Sequence, residues 1–277
     1  MAGAQLWLVD AFTDAPFRGN PAGVVALDGD ASTEWMAAVA RELGVSDVAF
    51  VLRSSSSEDD FALRWFTPAA EVDLCGHATL AAAHCLFDDG AADPIRFLTR
   101  SGLLIVRRRL GGSLVMDFPA SPASAADTAT RAAAAQALGT GVEWAGRTND
   151  GVFLLAQLAD ERAVRQIVPN LGAIAALEAS AVIVTALADQ GRNYDFVSRV
   201  FAPKIGIPED PVTGSSHTVL ACFWADRLAS TALVGFQASH RPGRLDIELH
   251  GDRVSIAGRA VIVARGMITP AAAPAPA

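Results

Sequence analysis

The chain has 277 residues, of which 51% are hydrophobic, and 22 Lys+Arg against 30 Asp+Glu give it a net charge of −8. This length suits about two domains with buried cores. The negative charge argues against binding to nucleic acid or an anionic membrane, because either polyanion would be repelled. Its three cysteines form no C-x-x-C motif, so neither a disulfide framework nor a structural zinc site is expected, and a cytoplasmic location is the default.

Hydrophobic alternation and turn residues predict the elements of the first half. They are a strand over Gln5–Phe12, a turn at Gly19-Asn20-Pro21, a strand over Ala22–Leu27, a helix over Ser32–Leu43 that ends at Gly44, a strand over Val45–Arg53, and a hairpin of Leu103–Leu110 with Ser113–Phe118. No signal peptide and no membrane span is expected.

A Pro/Ser/Ala-rich linker over Pro119–Ala125 predicts a domain boundary. The expected domains are residues 1–118, joined by part of 265–277, and residues 119–264. The second half is predicted to contain helices over Ala126–Leu138, Glu161–Ile167 and Leu171–Ala176, and strands over Gly151–Leu158, Ala181–Ala186, Phe236–Ala238, Arg244–His250 and Arg253–Val263. The low-complexity tail Ala271–Ala277 is expected to be disordered.

An internal repeat relates the two halves. Asp60–Pro68 (DFALRWFTP) and Asp195–Pro203 (DFVSRVFAP) share five of nine residues at an offset of 135. Acidic residues, a glycine-containing loop and an apolar run follow each copy, and the runs are Ala78–Phe87 and Thr218–Leu228. Because a helix that is apolar on every face is buried, each half is predicted to be a sheet wrapped round a central helix.

The starts of the two apolar helices could together bind a small anion between the domains. Unpaired N–H groups and a partial positive charge at a helix N-terminus favour a carboxylate. The donors would come from Gly76-His77-Ala78 and Gly214-Ser215-Ser216. Alternatively, the glycines only permit a tight helix start. Phosphate-loop, dinucleotide and hydrolase-elbow motifs are absent, so any chemistry must come from side chains.

Three side chains are candidates for that chemistry. His77 could carry a proton or bind a substrate carboxylate, or it could simply cap the helix. Asp47 opens an apolar stretch, where burial would raise its pKa toward that of a general base, although a turn aspartate is the simpler interpretation. Asp210 precedes the second helix, a position where acids are often caps.

The cysteines argue against a two-thiol racemase. Such enzymes can use a cysteine at each of two facing helix starts. Cys75 precedes Gly76, but Thr213 precedes Gly214. The pair is therefore incomplete, and Cys75 is interpreted as a small buried residue.

Three segments closely resemble the phenazine-biosynthesis PhzF family: Asp10–Val25 (DAFTDAPFRGNPAGVV), Arg64–Ala81 (RWFTPAAEVDLCGHATLA) and Pro208–His217 (PEDPVTGSSH). The resemblance covers nearly the whole chain. It implies a diaminopimelate-epimerase-like α+β fold of two pseudo-symmetric domains, each a curved, mostly antiparallel sheet wrapped round a central buried helix. It also implies a homodimer and cofactor-independent isomerisation by proton transfer. In the phenazine pathway the substrate is trans-2,3-dihydro-3-hydroxyanthranilate.

The resemblance also assigns roles to individual residues. The family's histidine corresponds to His77, its acidic residue to Asp210, and its anion-binding residues to Gly76, Gly214 and Ser215. Ser46 and Ala78 are expected to contact substrate beside them. The family's catalytic glutamate, in a segment that usually reads S-E-T-x-F-V, is replaced by Asp47.

The shorter aspartate moves the carboxylate back by about 1 Å, and misplacement of that order can cost ~100-fold in rate. Either the substrate lies closer, another acid acts, or the reaction differs from that of the phenazine enzyme.

Three hypotheses follow. The leading one is an isomerase that moves a proton and a double bond on a small unsaturated or cyclic amino acid or carboxylate in a secondary-metabolite pathway, without cofactor or metal. The second is an amino-acid epimerase, which needs a base on each face of the carbon. The third is a non-catalytic carboxylate-binding protein that has lost the base. The expected partners are the small carboxylate and a second copy of the chain.

Overall fold

A computed structural model describes residues 4–53 and 60–269 as an α+β protein, so the tail Ala271–Ala277 lies outside the described residues. The strands of the described chain are β1 (Ala4–Ala11), β2 (Asn20–Leu27), β3 (Asp47–Arg53), β4 (Asp60–Phe66), β5 (Glu71–Val72), β6 (Ile95–Thr99), β7 (Gly102–Arg108), β8 (Leu114–Pro119), β9 (Ala123–Ala125), β10 (Trp144–Thr148), β11 (Phe153–Gln157), β12 (Ala181–Leu187), β13 (Phe196–Ala202), β14 (Ile207–Asp210), β15 (Ala232–Gln237), β16 (Gly243–His250), β17 (Arg253–Gly258) and β18 (Ala260–Ile268).

The helices are fewer and mostly short. They are α1 (Thr33–Leu43), α2 (Gly76–Asp88), α3 (Thr128–Leu138), α4 (Glu161–Gln166), α5 (Leu171–Ala175) and α6 (Gly214–Leu228), with one 3₁₀ turn over Pro203–Ile205. Within residues 4–53 and 60–269, none of these helices has both the length and the apolar character needed to cross a bilayer.

The chain divides into two compact units. Among the described residues, the first combines 4–17, 21–53, 60–116 and 259–269, and the second combines Arg18–Asn20 with Asp117–Gly258. The prediction of a single strand over Arg253–Val263 is wrong, because the strand is interrupted at Arg259. The residues before the break pair with β16 in the second unit, and those after it pair with β1 in the first.

The two units repeat one order of strand pairing. In the first unit β2 and β3 are parallel, β3 and β4 antiparallel, β4 and β6 parallel, and β6 and β7 antiparallel. In the second, β11 and β12 are parallel, β12 and β13 antiparallel, β13 and β15 parallel, and β15 and β16 antiparallel. The repeat seen in the sequence therefore extends to the sheets, and the predicted diaminopimelate-epimerase-like fold class is confirmed.

Each unit contains one long helix that is buried along most of its length. In α2, the small residues Ala81, Ala82 and Ala83 are fully buried beside Leu80. In α6 the buried residues include Trp224, whose indole N–H donates to Thr185 Oγ1 at 3.0 Å. That bond satisfies a polar group that would otherwise cost free energy in the core. The predicted burial of both helices is confirmed.

Local signals fix the ends of α1. Ser32 Oγ accepts the N–H of Trp35 at the start, and Gly44 ends the helix in the left-handed conformation at φ 60°. Both residues are preferred at these positions for the reasons the sequence suggested.

In each unit a bidentate Arg–Glu pair joins the two strands on either side of the turn that precedes the buried helix. Arg64 on β4 donates to both carboxylate oxygens of Glu71 on β5, at 2.7 and 2.8 Å. Arg199 on β13, 135 residues later, donates to Glu209 on β14 at 2.7 and 3.0 Å. Each pair ties a long strand to the short strand that leads into the buried helix, so it supports the helix start.

We expect Glu71→Gln to lower the free energy of unfolding by ~1 kcal/mol, because the pair is only partly exposed and its second bond is lost. The hydrogen bond from Arg64 lowers the pKa of Glu71, although burial opposes it. The stability difference should therefore be full above pH 4.5 and shrink as the pH falls below it. Urea unfolding at several pH values measures both effects.

Asp117→Asn is the matched control, because its partner Arg253 forms an exposed pair with side chains 45% and 52% accessible. Its effect should stay within ~0.5 kcal/mol. An equal loss in both variants would contradict a structural role for the Arg64–Glu71 pair.

Candidate active site

The first unit brings Asp47 to the beginning of a central strand. Asp47 is the first residue of β3, which lies between β2 and β4, and Ala22 on β2 is its partner in register. The following residues Val48, Ala49 and Phe50 are buried. The strand therefore fixes a carboxylate at the edge of the core, where only 7% of Asp47 is accessible.

Helix α2 contributes the other two side chains from its start. Cys75 is the residue that precedes the helix, and His77 is its second residue, so His77 lies on the first turn rather than in the loop. The Thr79 hydroxyl donates to the Cys75 carbonyl at 2.6 Å, and the Thr79 N–H donates to the same oxygen at 3.0 Å. These two bonds fix the backbone from which both side chains extend.

Asp47, Cys75 and His77 form one buried cluster. His77 Nε2 lies 3.5 Å from Asp47 Oδ2, and Cys75 Sγ lies 3.5 Å from His77 Nδ1. Burial lowers the pKa of His77, and the nearby Asp47 carboxylate opposes this only in part. The imidazole is therefore neutral at pH 7 and sits beside a carboxylate, a combination suited to proton transfer.

The expected substrate-binding residues of this unit are neighbours in the chain of the three clustered residues. Ser46 is partly buried and immediately precedes β3, Gly76 begins α2, and Ala78 is fully buried. The N–H groups of Gly76, His77 and Ala78 precede the first intrahelical bond, which is made by Thr79. These are the amides that a helix start offers to an anion.

In the second unit Asp210 is the centre of a hydrogen-bond network rather than the cap of α6. Its Oδ1 accepts from Asn20 Nδ2 at 2.8 Å, and its Oδ2 accepts from the Thr213 hydroxyl. Gln237 donates to the Asp210 carbonyl and accepts the Thr213 N–H, at 2.8 and 2.9 Å. Burial raises the pKa of Asp210, against the hydrogen bonds from Thr213 and Asn20.

The start of α6 is tied down as in α2, but by a different donor. His217 Nδ1 lies 2.7 Å from the Thr213 carbonyl oxygen, so this nitrogen carries a proton. Burial lowers the pKa of His217 to about 4, so the ring is neutral at pH 7. The two bonded residues are four positions apart in the chain, as Thr79 and Cys75 are. Gly214 is the buried first residue of α6, and Ser215 after it is exposed.

Sequence reasoning missed the side chains that complete these clusters. The sequence indicates Cys75 only as a small buried residue, whereas in the structure its sulfur contacts His77. The sequence places Asn20 only in a turn, yet its side-chain amide donates to Asp210 and to the Val212 carbonyl. Gln237 lies far along the chain from the segments that contain Asp47, His77 and Asp210, so no sequence motif points to it. The nearest signal was the adjacency of Cys75 to Gly76, since a thiol at a helix start is an activated position.

The two units have the fold of diaminopimelate-epimerase-like proteins, as solved structures also show. The chain superposes on a PhzF-family protein from Enterococcus faecalis with a TM-score of 0.88 and 37% identity, covering 97% of this chain and 100% of that one. A putative phenazine biosynthesis PhzC/PhzF protein from Clostridium difficile superposes with a TM-score of 0.87 and 36% identity, covering 96% of this chain and 100% of that one. A hydroxyproline epimerase from Agrobacterium vitis, at 12% identity and a TM-score of 0.62, shares the fold alone.

Residues 9–266 match the PhzC-PhzF family, described as phenazine biosynthesis-like protein. An uncharacterized isomerase of Pseudomonas aeruginosa is 43% identical, covering 95% of this chain and 98% of its own length. A second uncharacterized isomerase from that organism is 47% identical, covering 94% of this chain and 96% of its own length. The chain therefore belongs to the PhzC-PhzF family, and its enzyme class is isomerase.

The buried His217 gives the second unit a measurable pH dependence. Burial lowers its pKa from 6.5 to about 4, so the unfolded chain binds this proton more readily than the folded one. Stability should fall as the pH drops from 6.5 to 4, by ~3 kcal/mol through this residue. We expect His217→Asn, which keeps a side-chain donor, to show a shallower loss in urea unfolding.

The exposed His240→Asn variant serves as the control and should follow the wild-type pH dependence. Equal pH dependence of the wild type and His217→Asn would show that His217 does not determine this behaviour.

Proposed function

We propose that this protein is a cofactor-independent isomerase that uses Asp47 as acid and base on a small unsaturated or cyclic amino acid or carboxylate. Asp47 removes a proton from an activated carbon, and the electron pair shifts into the conjugated system. The same proton returns at another carbon, so a double bond moves without net oxidation. A role in a secondary-metabolite pathway fits the family name.

The observation that carries this proposal is the buried pair of Asp47 and a neutral His77, with 3.5 Å between Oδ2 and Nε2. A carboxylate shielded from water is a stronger base than an exposed one. His77 can orient Asp47 or pass a proton to it. The amides at the start of α2 would bind the substrate carboxylate, with Ser46 beside them.

Asp210, Gly214 and Ser215 belong to the second unit, and their participation is a separate part of the proposal. Burial raises the pKa of Asp210, which shifts this carboxyl toward the protonated form that would donate to a substrate oxygen. The Asp210→Asn variant, assayed for proton exchange in D₂O, tests this role independently of Asp47.

We expect Asp47→Asn to lose at least ~100-fold in proton exchange, because the amide cannot accept the carbon-bound proton. Asp47→Glu retains the acid and should keep measurable exchange, altered by the ~1 Å longer arm. NMR in D₂O measures exchange on three probes: trans-2,3-dihydro-3-hydroxyanthranilate, Δ¹-pyrroline-2-carboxylate and trans-4-hydroxy-L-proline.

Asp73→Asn is the matched control, since Asp73 is an exposed acid two residues before Cys75. It should exchange protons at the wild-type rate. Undiminished exchange by Asp47→Asn would eliminate Asp47 as the base.

An epimerase is the second candidate, and the position of Cys75 favours it. The sulfur lies 3.5 Å from His77 Nδ1 and 4.0 Å from Nε2, so the imidazole could accept the thiol proton. Asp47 would then remove the Cα proton and the Cys75 thiol would donate a proton to the opposite face, after which His77 would carry a proton from Asp47 to the thiolate and restore both groups. Inversion of trans-4-hydroxy-L-proline at Cα without movement of a double bond, abolished by Cys75→Ser, would establish this reaction in place of the first.

A further inference from the structure

The Asp47–Cys75–His77 cluster combines three different metal-binding groups. One ligand atom from each side chain lies within 4.8 Å of the others, and all three residues are buried. We propose that these residues bind one Zn²⁺-class divalent cation with a fourth position open, and that the bound cation inhibits the enzyme. The binding stands on the geometry alone, whereas the inhibition rests on the proposed function of Asp47.

The distance between the carboxylate and the imidazole suits a tetrahedral ion, and the thiol lies within reach of both. With zinc bonds of about 2.0–2.1 Å to nitrogen and oxygen and 2.3 Å to sulfur, tetrahedral ligands are separated by about 3.3–3.6 Å. His77 Nε2 lies 3.5 Å from Asp47 Oδ2 and 4.0 Å from Cys75 Sγ. The thiol lies nearer Nδ1, at 3.5 Å, so binding of one ion at Nε2 requires a rotamer change that brings the Cys75 sulfur toward that nitrogen.

The backbone that carries the three ligands is already held in place. Asp47 starts a strand that is paired on both sides, and the carbonyl of Cys75 accepts two hydrogen bonds from Thr79. His77 follows within the same helical turn. Little conformational entropy is lost on binding, because no loop has to be ordered.

The charges of the ligands also favour this ion. A carboxylate and a thiolate together neutralise a divalent cation, while the imidazole binds as a neutral ligand. The resulting complex has no net charge, so its burial costs less free energy than that of an unpaired ion. Thiolate and imidazole prefer Zn²⁺ over the hard cations Mg²⁺ and Ca²⁺.

Bound metal would prevent the proposed proton transfer. The ion would occupy the carboxylate lone pair of Asp47 with which the base accepts a proton, and it would cover His77 Nε2. Cys75 must lose its proton to bind the metal, so affinity should rise with pH. The cation would thus be a reversible inhibitor that a chelator removes.

The binding test uses the full chain after treatment with a chelator. Zn²⁺ is titrated in competition with a chromophoric chelator, and Co²⁺ is added to a second sample to observe thiolate-to-metal absorption. We expect one ion per chain, a thiolate band with Co²⁺, and no competition by Mg²⁺. Cys75→Ser should bind Zn²⁺ at least tenfold more weakly and lose the band.

Cys222→Ser is the matched control, because Cys222 is a partly buried cysteine in α6 of the other unit. It should bind Zn²⁺ like the wild type. Asp47→Asn provides a second ligand variant that leaves the thiol intact, and it should also weaken binding. Equal Zn²⁺ affinity of the wild type, Cys75→Ser and Asp47→Asn would overturn the proposed site.

Proton exchange measured with and without Zn²⁺ separates this inference from the proposed function. Zinc binding that stops exchange, with recovery on chelation, supports both. Exchange without zinc binding overturns the metal site and leaves the isomerase. Zinc binding by a protein without exchange on any probe supports the site and contradicts the proposed function. Zinc binding with unchanged exchange overturns the inhibition.

Discussion

Each unit of this protein is organised by the burial of one helix that has almost no polar face. Such a helix must be covered on all sides, and a curved sheet is the element that can cover it. Burial also forces the helix start into a region where backbone polar groups need partners. In α2 the Thr79 hydroxyl supplies a partner to the carbonyl before the helix, and in α6 the His217 ring does so. The arrangement of the candidate side chains follows from this requirement.

The same burial sets the protonation states on which the chemistry depends. His77 and His217 lose water without gaining a full compensating charge, so both rings are neutral at pH 7. Asp210 responds in the opposite sense, because loss of water favours the protonated form of a carboxyl. The neutral rings and the raised pKa of Asp210 therefore arise from one physical cause, namely desolvation beside a helix start.

The two units have diverged at corresponding positions. Val48 on β3 pairs with Phe66, and Val182 on β12 pairs with Phe201, so Ala181 of the second unit corresponds to Asp47. An offset of 138 relates Cys75 to Thr213 and places Asp210 where the first unit has Val72. The first unit therefore carries a carboxylate, a thiol and an imidazole, whereas the second carries an acid within an amide and hydroxyl network.

The sequence alone predicts the repeat and the buried helices, because these depend on local patterns of residues. It also predicts the family, because three of its segments resemble the family's motifs. It also selected Asp47, His77 and Asp210, through the resemblance more than through spacing. It did not predict the contact of Cys75 with His77 or the bond of Asn20 to Asp210. Such contacts depend on how residues distant in the chain meet, as Asn20 and Asp210 do across 190 positions. The sequence does not reveal the interruption between β17 and β18 at Arg259, because the strands on both sides of it are similarly apolar.

The duplicated Arg–Glu pairs bear on how such a protein can change. Arg64–Glu71 and Arg199–Glu209 are retained at matching turns, while the residues a few positions later differ between the units. The support of the helix start is thus separate from the groups displayed on it. Substitutions at those displayed positions can alter the chemistry while the scaffold keeps its stability, which makes the fold a tolerant starting point for new reactions.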